Sequence, residues 1–357
     1  MQENQSELTN SSTNSRLLNV DVLRPRLRQV LYFNGQKMTR RTENWGAVTY
    51  DFESDLFSAR IHDQNTEIVP EAPLGLYWLV TAPCNLKCIH CYGNVEELPR
   101  GVSNDEAQIR IADRIIESGA LRVTLNGGEP LLRADTPDMI EKLADQNIAV
   151  ILGTNGTYLR ADIMNSIKRT NRVEISFDSH KELINNSIRV SRSSKGNAYR
   201  ESLAAIDLCL EHGVRLRVLT CLNQRNYQDV ESISDLLYAR GVRDWSVSWT
   251  LHAGRARHIY ASLIPDDMSA VEPMIEKLRM KHPDMKIKYS NRSDATAGNN
   301  RFSCLVFPDG RVFAEDLELG KKIAFHSLLE APLLKSWTEE NFNLKQHFKR
   351  WVGDRIK

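Results

Sequence analysis

From about residue 74 the chain alternates short apolar, β-rich runs with longer stretches whose apolar residues recur at helical spacing. The strand-like runs lie at 74–81, 121–126, 148–154, 172–178, 214–222 and 245–252, and the helix-like stretches at 105–118, 137–146, 160–168, 198–212 and 227–240. Several helices run into a glycine before the next strand, at Gly119, Gly213 and Gly241, as helix C-termini favour. This alternation predicts an α/β fold, a parallel sheet with crossover helices. Six strands wound this way curl into a partial (β/α)6 barrel over 74–262. In barrels, chemistry gathers at the C-terminal ends of the strands, so the loops that follow each run are the places to search.

The flanks follow other patterns. Residues 1–16 are rich in Asn, Ser, Thr and Gln without an apolar run, which predicts a disordered tail rather than a secretory signal or an anchor. Residues 17–73 read as a β-rich appendage of short strands and turns. Residues 263–357 read as a small α+β extension. Within it, Cys304 to Asp316 predicts a β-hairpin turning at Pro308-Asp309-Gly310, and 327–337 predicts a helix.

Composition narrows the function classes. The 357 residues carry 47 Lys and Arg against 46 Asp and Glu, a formal charge of +1, so no global field draws the chain to nucleic acid or a membrane surface. No apolar stretch is long enough to cross a bilayer. Six Cys without a secretory signal point to a reducing, cytoplasmic setting.

The most specific chemistry is the run Thr81 to Gly93, which sets Cys84, Cys88 and Cys91 at the spacing C-x3-C-x2-C with His90 and Tyr92 beside the last Cys. Three thiolates can hold three irons of a four-iron cluster and leave the fourth open for a small molecule. A structural zinc site needs four ligands, and no Cys or His pair at ligand spacing follows. Three is also an odd number for disulfides. Asn126-Gly127-Gly128-Glu129-Pro130 follows the second strand, two glycines allowing close backbone approach and an acidic group offering an acceptor for an ammonium. Thr154-Asn155-Gly156 ends the third strand. Ser176 and Asp178, two apart on the fourth, share a face suited to a ribose diol.

Together these motifs resemble the radical S-adenosylmethionine (SAM) family, and from about 74 to 337 its peptide-modifying members with SPASM or twitch extensions. The resemblance implies a [4Fe–4S] cluster on Cys84, Cys88 and Cys91, with SAM on its open iron. It further implies that Gly127, Gly128 and Glu129 bind the SAM amino group, that Asn155 lies near the nucleoside, and that Ser176 and Asp178 meet the ribose. Arg189, with Arg192 as competitor, is expected to clamp the carboxylate, and Arg255 to lie on the substrate side. His90 and Tyr92 count with the cofactor-binding set, and His252 is the histidine expected nearest the site among those outside the cluster loop.

The implied activity is cleavage of SAM to a 5′-deoxyadenosyl radical that takes hydrogen from a substrate C–H bond in maturation of a ribosomally made precursor peptide. An electron-donor protein such as flavodoxin or ferredoxin is the implied partner. Three alternatives stay open: a small-molecule or tetrapyrrole enzyme, a peptide epimerase using Cys221 or Cys304 as hydrogen donor, and a non-catalytic peptide-binding partner. Two departures bear on the reading. No Cys follows Cys304, and Ala314, Glu315 and Asp316 stand where relatives have a second one, so a full auxiliary cluster is not expected. The appendage resembles the β-portion of the family's peptide-recognition element, with too few residues for its helices; a β-hairpin on the barrel's flank is the other expectation.

Overall fold

The strands of the barrel are built on a two-residue alternation that puts apolar side chains under the helices and polar ones in the lumen. A computed structural model describes residues 20–23, 28–33, 35–43, 45–62, 72–92, 105–291, 303–316, 321–324 and 326–334; the tail expected at 1–16 lies outside them.

The N-terminal appendage is an antiparallel meander of β1 (Val20–Leu23), β2 (Arg28–Phe33), β3 (Gln36–Glu43), β4 (Gly46–Asp51) and β5 (Leu56–Ile61). It exceeds the expected hairpin, and its described residues contain no helix. The barrel strands are β6 (Gly75–Thr81), β7 (Arg122–Gly127), β8 (Ala149–Thr154), β9 (Arg172–Ser176), β10 (Leu216–Leu222), β11 (Asp244–Trp249) and β12 (Lys286–Ser290), each parallel to the next. Helices α1 (Asp105–Glu117), α2 (Thr136–Asp145), α3 (Met164–Ile167), α4 (Glu182–Ile188), α5 (Ala198–Glu211), α6 (Val230–Ala239), α7 (Tyr260–Leu263) and α8 (Val271–Lys281) lie along the connections. No helix of the described residues is long and apolar enough to cross a membrane.

Six strands were expected and the parallel run holds a seventh, β12, whose Lys-Ile-Lys-Tyr-Ser sequence has one buried apolar residue and so carries little hydrophobic signal. The expected C-terminal hairpin forms from β13 (Ser303–Val306) and β14 (Val312–Asp316), and β15 (Lys321–Ala324) follows on its edge. It is not a separate layer. β13 pairs in parallel with β6, Cys304 opposite Leu76, so the boundary drawn at 262 cuts through one ten-stranded sheet. The helix expected at 327–337 opens with turns, Leu328 N donating to Gly310 O at 2.8 Å, and its later residues lie outside the described set.

The appendage caps the N-terminal, lower end of the barrel. Trp45, Val48 and Tyr50 join the barrel's own hydrophobic cluster. Buried Arg41 donates to the carbonyls of Ala72, Pro73 and Gly119, each at 2.9 Å. Asp55, on the β4–β5 turn, inserts beneath the strands: its Oδ2 lies 2.6 Å from Arg172 Nη1, its Oδ1 lies 3.6 Å from Arg122 Nη1 and accepts from the Tyr50 hydroxyl. Burial pushes the Asp55 carboxyl up, but Arg172, Arg122 and the Tyr50 hydroxyl outweigh it and leave its pKa lowered. Arg172 also donates to Glu174, and Arg217 pairs with Asp244 at 2.7 Å. The lower lumen is therefore a closed ion network that starts in the appendage and ends at Glu174.

Candidate active site

The upper end of the lumen opens into a cavity of about 370 Å³. Cys84, Cys88 and Cys91, all free thiols, line it from the loop after β6. That loop is tied to its neighbours through the backbone. It pairs antiparallel with the segment after α4: Lys87 N donates to Val190 O at 2.7 Å, Ile89 N to Ile188 O at 3.0 Å, and Arg192 N to Asn85 O at 2.9 Å.

Two glycines fix the loop from below and above. A Cβ on Gly128 would stand 2.0 Å from Pro83 O and 2.3 Å from Ala82 O. The Gly-Gly turn is thus required by contact with the cysteine loop itself. Gly254, at φ +54, would place a Cβ 2.2 Å from Cys91 O. Its neighbour Arg255 donates from N to Cys91 O at 3.0 Å and from Nη1 to Cys88 O at 2.6 Å. Arg255 was expected on the substrate side; instead it holds the carbonyls of the cysteine loop, and it is not among the cavity-lining residues. Gly254→Ala is expected to lower the iron bound on reconstitution severalfold while far-ultraviolet circular dichroism stays native, because the clash and the left-handed backbone act on the loop and not on the barrel.

The remaining motif residues converge on the cavity, with altered roles. Glu129 is fully buried; its Oε1 accepts from Thr154 Oγ1 at 2.6 Å and Leu131 N at 3.1 Å, its Oε2 from Asn155 N at 2.8 Å. It ties the turn after β7 to the turn after β8, and burial raises its pKa despite these donors. Asn155 Nδ2 in turn donates to Asn85 Oδ1 at 3.0 Å and lies 3.9 Å from Cys84 Sγ. Ser176 lines the cavity, but Asp178 sits behind the wall: Oδ1 accepts from Cys221 N at 2.8 Å, and Oδ2 lies 2.8 Å from Arg189 Nε and 3.6 Å from His90 Nε2. Burial pushes His90 down to about 4, with Asp178 opposing and Arg189 and Arg255 adding to the fall, so the imidazole is neutral. Arg189 lines the cavity between Asp178 and Cys88, its Nη1 3.9 Å from Cys88 Sγ. Tyr92 is exposed at the mouth.

Burial pushes the Cys88 thiol up to about 12 and raises Cys84; thiols so placed ionise when metal binds. Among the described residues no three His, Cys, Asp or Glu side chains converge as ligands of a single metal ion. Three thiols on one loop at one cavity are a donor set for three irons of a four-iron cluster.

Residues 78–237 match the family model for the radical SAM superfamily. Over this stretch the chain is similar to the radical SAM superfamily. That superfamily uses a [4Fe–4S] cluster and SAM, and the thiols, the cavity and the flanking turns described above fit both. Among curated relatives, the Fe-coproporphyrin III synthase of Methanosarcina barkeri is 27% identical over 215 residues, 57% of this chain and 51% of its own length. The antilisterial bacteriocin subtilosin biosynthesis protein AlbA of Bacillus subtilis is 24% identical over 291 residues, 77% of this chain and 64% of its own length. The chain thus spans between half and two thirds of these relatives. Streptococcus suis SuiB has the same fold: bound to SAM it superposes with a TM-score of 0.67 at 12% identity, over 87% of this chain and 89% of SuiB.

The barrel also presents residues that motif reading passed over. Asn126, Glu174, Ser246 and Ser248 line the cavity with Ser176 and Cys221. The signal was available as polar residues two apart on otherwise apolar strands, Glu174 with Ser176 and Ser246 with Ser248. Of the thiols left open, Cys304 is 1% exposed on β13 and belongs to the core, whereas Cys221 lies in the cavity wall, its Sγ 3.4 Å from Thr250 Oγ1. Cys209 is buried in α5. His252 is exposed against Tyr260, with ring centroids 4.7 Å apart, and does not line the cavity.

Proposed function

We propose that this chain is a radical SAM peptide maturase, abstracting hydrogen from a C–H bond of a ribosomally made precursor peptide. The observation that carries the reading is the placing of Cys84, Cys88 and Cys91 on one wall of a cavity whose other wall is polar lumen. When bound, the cluster and SAM supply reductive cleavage to the 5′-deoxyadenosyl radical; orientation and shielding fall to the protein. Arg189, held at Nε by Asp178, would supply the guanidinium that pairs with the SAM carboxylate. Glu129 takes three donors from the chain, only one of them on Oε2, and lines the cavity, so it keeps acceptor capacity for the SAM ammonium beside the Gly127-Gly128 turn. Asn155 positions the turn at the nucleoside, and Ser176 serves the ribose.

Substrate reaches the lumen from the same cavity. Glu174 accepts from Arg172 and Arg217 through Oε1, so its Oε2 would be available to donors of the substrate, in the cavity that Ser246 and Ser248 also line. The peptide assignment is supported by AlbA, whose similarity runs through 77% of this chain, and by SuiB, a structure of which holds the precursor peptide SuiA. The test is anaerobic reconstitution followed by deoxyadenosine assay with dithionite, with and without the peptide encoded beside this gene. About four irons per chain and peptide-stimulated deoxyadenosine with a mass change in the peptide are expected. Stimulation by an iron porphyrin and not by peptide would replace the substrate class. Absence of both iron and deoxyadenosine would leave a peptide-binding partner without chemistry.

A further inference from the structure

The three segments that form or hold the cysteine loop share a charge pattern that the site does not use. Residues 82–92, 183–200 and 250–264 contain seven Lys and Arg and no Asp or Glu, in a chain with 46 acidic residues. Some of these cations are already explained: Arg189 and Arg255 face inward on Asp178 and on the Cys88 carbonyl. Lys87, Lys195 and Arg257 are exposed. None of the three lines the cavity, and no carboxylate of the described residues lies within 4.0 Å of them. On the same segments two apolar side chains stand in solvent, Val190 at 40% and Ile259 at 42% exposure.

The contacts already described tie the segments that carry these residues to the cysteine loop. Lys87 precedes Cys88 in the chain, about 3.8 Å away at the Cα, and its amide is bonded to Val190 O at 2.7 Å. Ser191 forms a β-bridge with Leu86 on the same loop. Arg257 and Ile259 follow Arg255, whose amide is bonded to Cys91 O at 3.0 Å. A partner seated on these segments touches the backbone that carries the cluster ligands and leaves the cavity mouth to substrate.

Resting on the radical SAM reading, we propose that this surface docks the electron donor, an acidic, low-potential one-electron protein. Unpaired cations around exposed apolar side chains match a small, transient and salt-sensitive encounter with a partner of opposite charge. One electron leaves the donor and enters the cluster; no bond forms or breaks and no proton moves at the surface. An acidic peptide substrate is the less fitting occupant, because the three cations do not line the cavity in which its C–H bond must lie.

The test compares wild type with the triple variant Lys87→Glu/Lys195→Glu/Arg257→Glu, using flavodoxin as the donor. Binding is followed by flavin fluorescence at about 20 and 300 mM NaCl, and deoxyadenosine is measured with photoreduced flavodoxin and, separately, with dithionite. The expected result is a rise of at least about tenfold in the flavodoxin Kd at low salt, a matching fall in flavodoxin-driven deoxyadenosine, loss of salt dependence, and dithionite-driven deoxyadenosine equal to wild type. The Gln versions of the three substitutions should give an intermediate loss. Unchanged flavodoxin binding overturns the proposal, as does an equal fall with both reductants, which would assign the charges to an acidic substrate or to the loop itself. Wild type that makes no deoxyadenosine even with dithionite fails at the radical SAM reading, before any variant is compared.

Discussion

Cys88→Ala is expected to abolish dithionite-driven deoxyadenosine formation, a loss of at least about 10³-fold, together with the bound iron, while the fold survives. The two halves of that expectation have separate structural sources. The thiol lines the cavity beside Arg189, and two remaining thiolates cannot hold a site-differentiated cluster. The loop, however, is held by bonds that the side chain does not make: Lys87 N to Val190 O, Ile89 N to Ile188 O, and Arg255 Nη1 to Cys88 O. Iron analysis and circular dichroism on the same preparation check both. Cys84→Ala and Cys91→Ala should behave alike, whereas Cys221→Ala and Cys304→Ala should keep their iron. A Cys88→Ala protein that retains iron and makes deoxyadenosine would remove the assignment of the cluster to this loop.

Asp55→Asn carries the largest expected effect on stability, about 3 kcal/mol, because it removes the only carboxylate paired with buried Arg122 among the described residues and leaves Arg172 with Glu174 alone. The pH dependence has a definite sign. The folded pKa of Asp55 is lowered, with Arg172 and Arg122 overcoming the opposing effect of burial, so its ionisation adds stability that is fully present above the unfolded carboxylate value. That stability is lost as pH falls through the lower folded value. Urea unfolding of the two proteins at neutral pH should show the full difference, and the gap should narrow in acid. A constant gap across pH would mean that packing of the β4–β5 turn, not charge, holds the appendage on the barrel.

The barrel's first six strands and five of its helices could be read from the sequence because each carries both a hydrophobic period and a punctuating turn. β12 lacked such a run, and α4 offered only seven residues, Glu-Leu-Ile-Asn-Asn-Ser-Ile, too few for a period to stand out. The cysteine loop, the Gly127-Gly128-Glu129 turn, Asn155 and Ser176 were legible as a group and do surround one cavity. What their side chains do was not legible. Motif spacing shows Glu129 and Asp178 as two acids near a ligand; only packing shows that both are bonded within the protein, to Thr154 and Asn155 in one case and opposite Arg189 in the other. Pairing between distant segments was equally hidden, as with β13 against β6.

That pairing fixes an order of events in the making of the protein. β6 ends in the cysteine loop, and its two neighbours are β7 and a strand more than two hundred residues further along the chain. While the polypeptide emerges from the ribosome, β6 stays an edge strand with an open row of backbone donors and acceptors until Val306 has followed. The same late segment supplies Pro308 O to Gln108 of α1, 2.8 Å away. The cysteine loop is therefore anchored on a half-paired strand until the chain has emerged past Val306, and a fully supported site for metal exists only after that point.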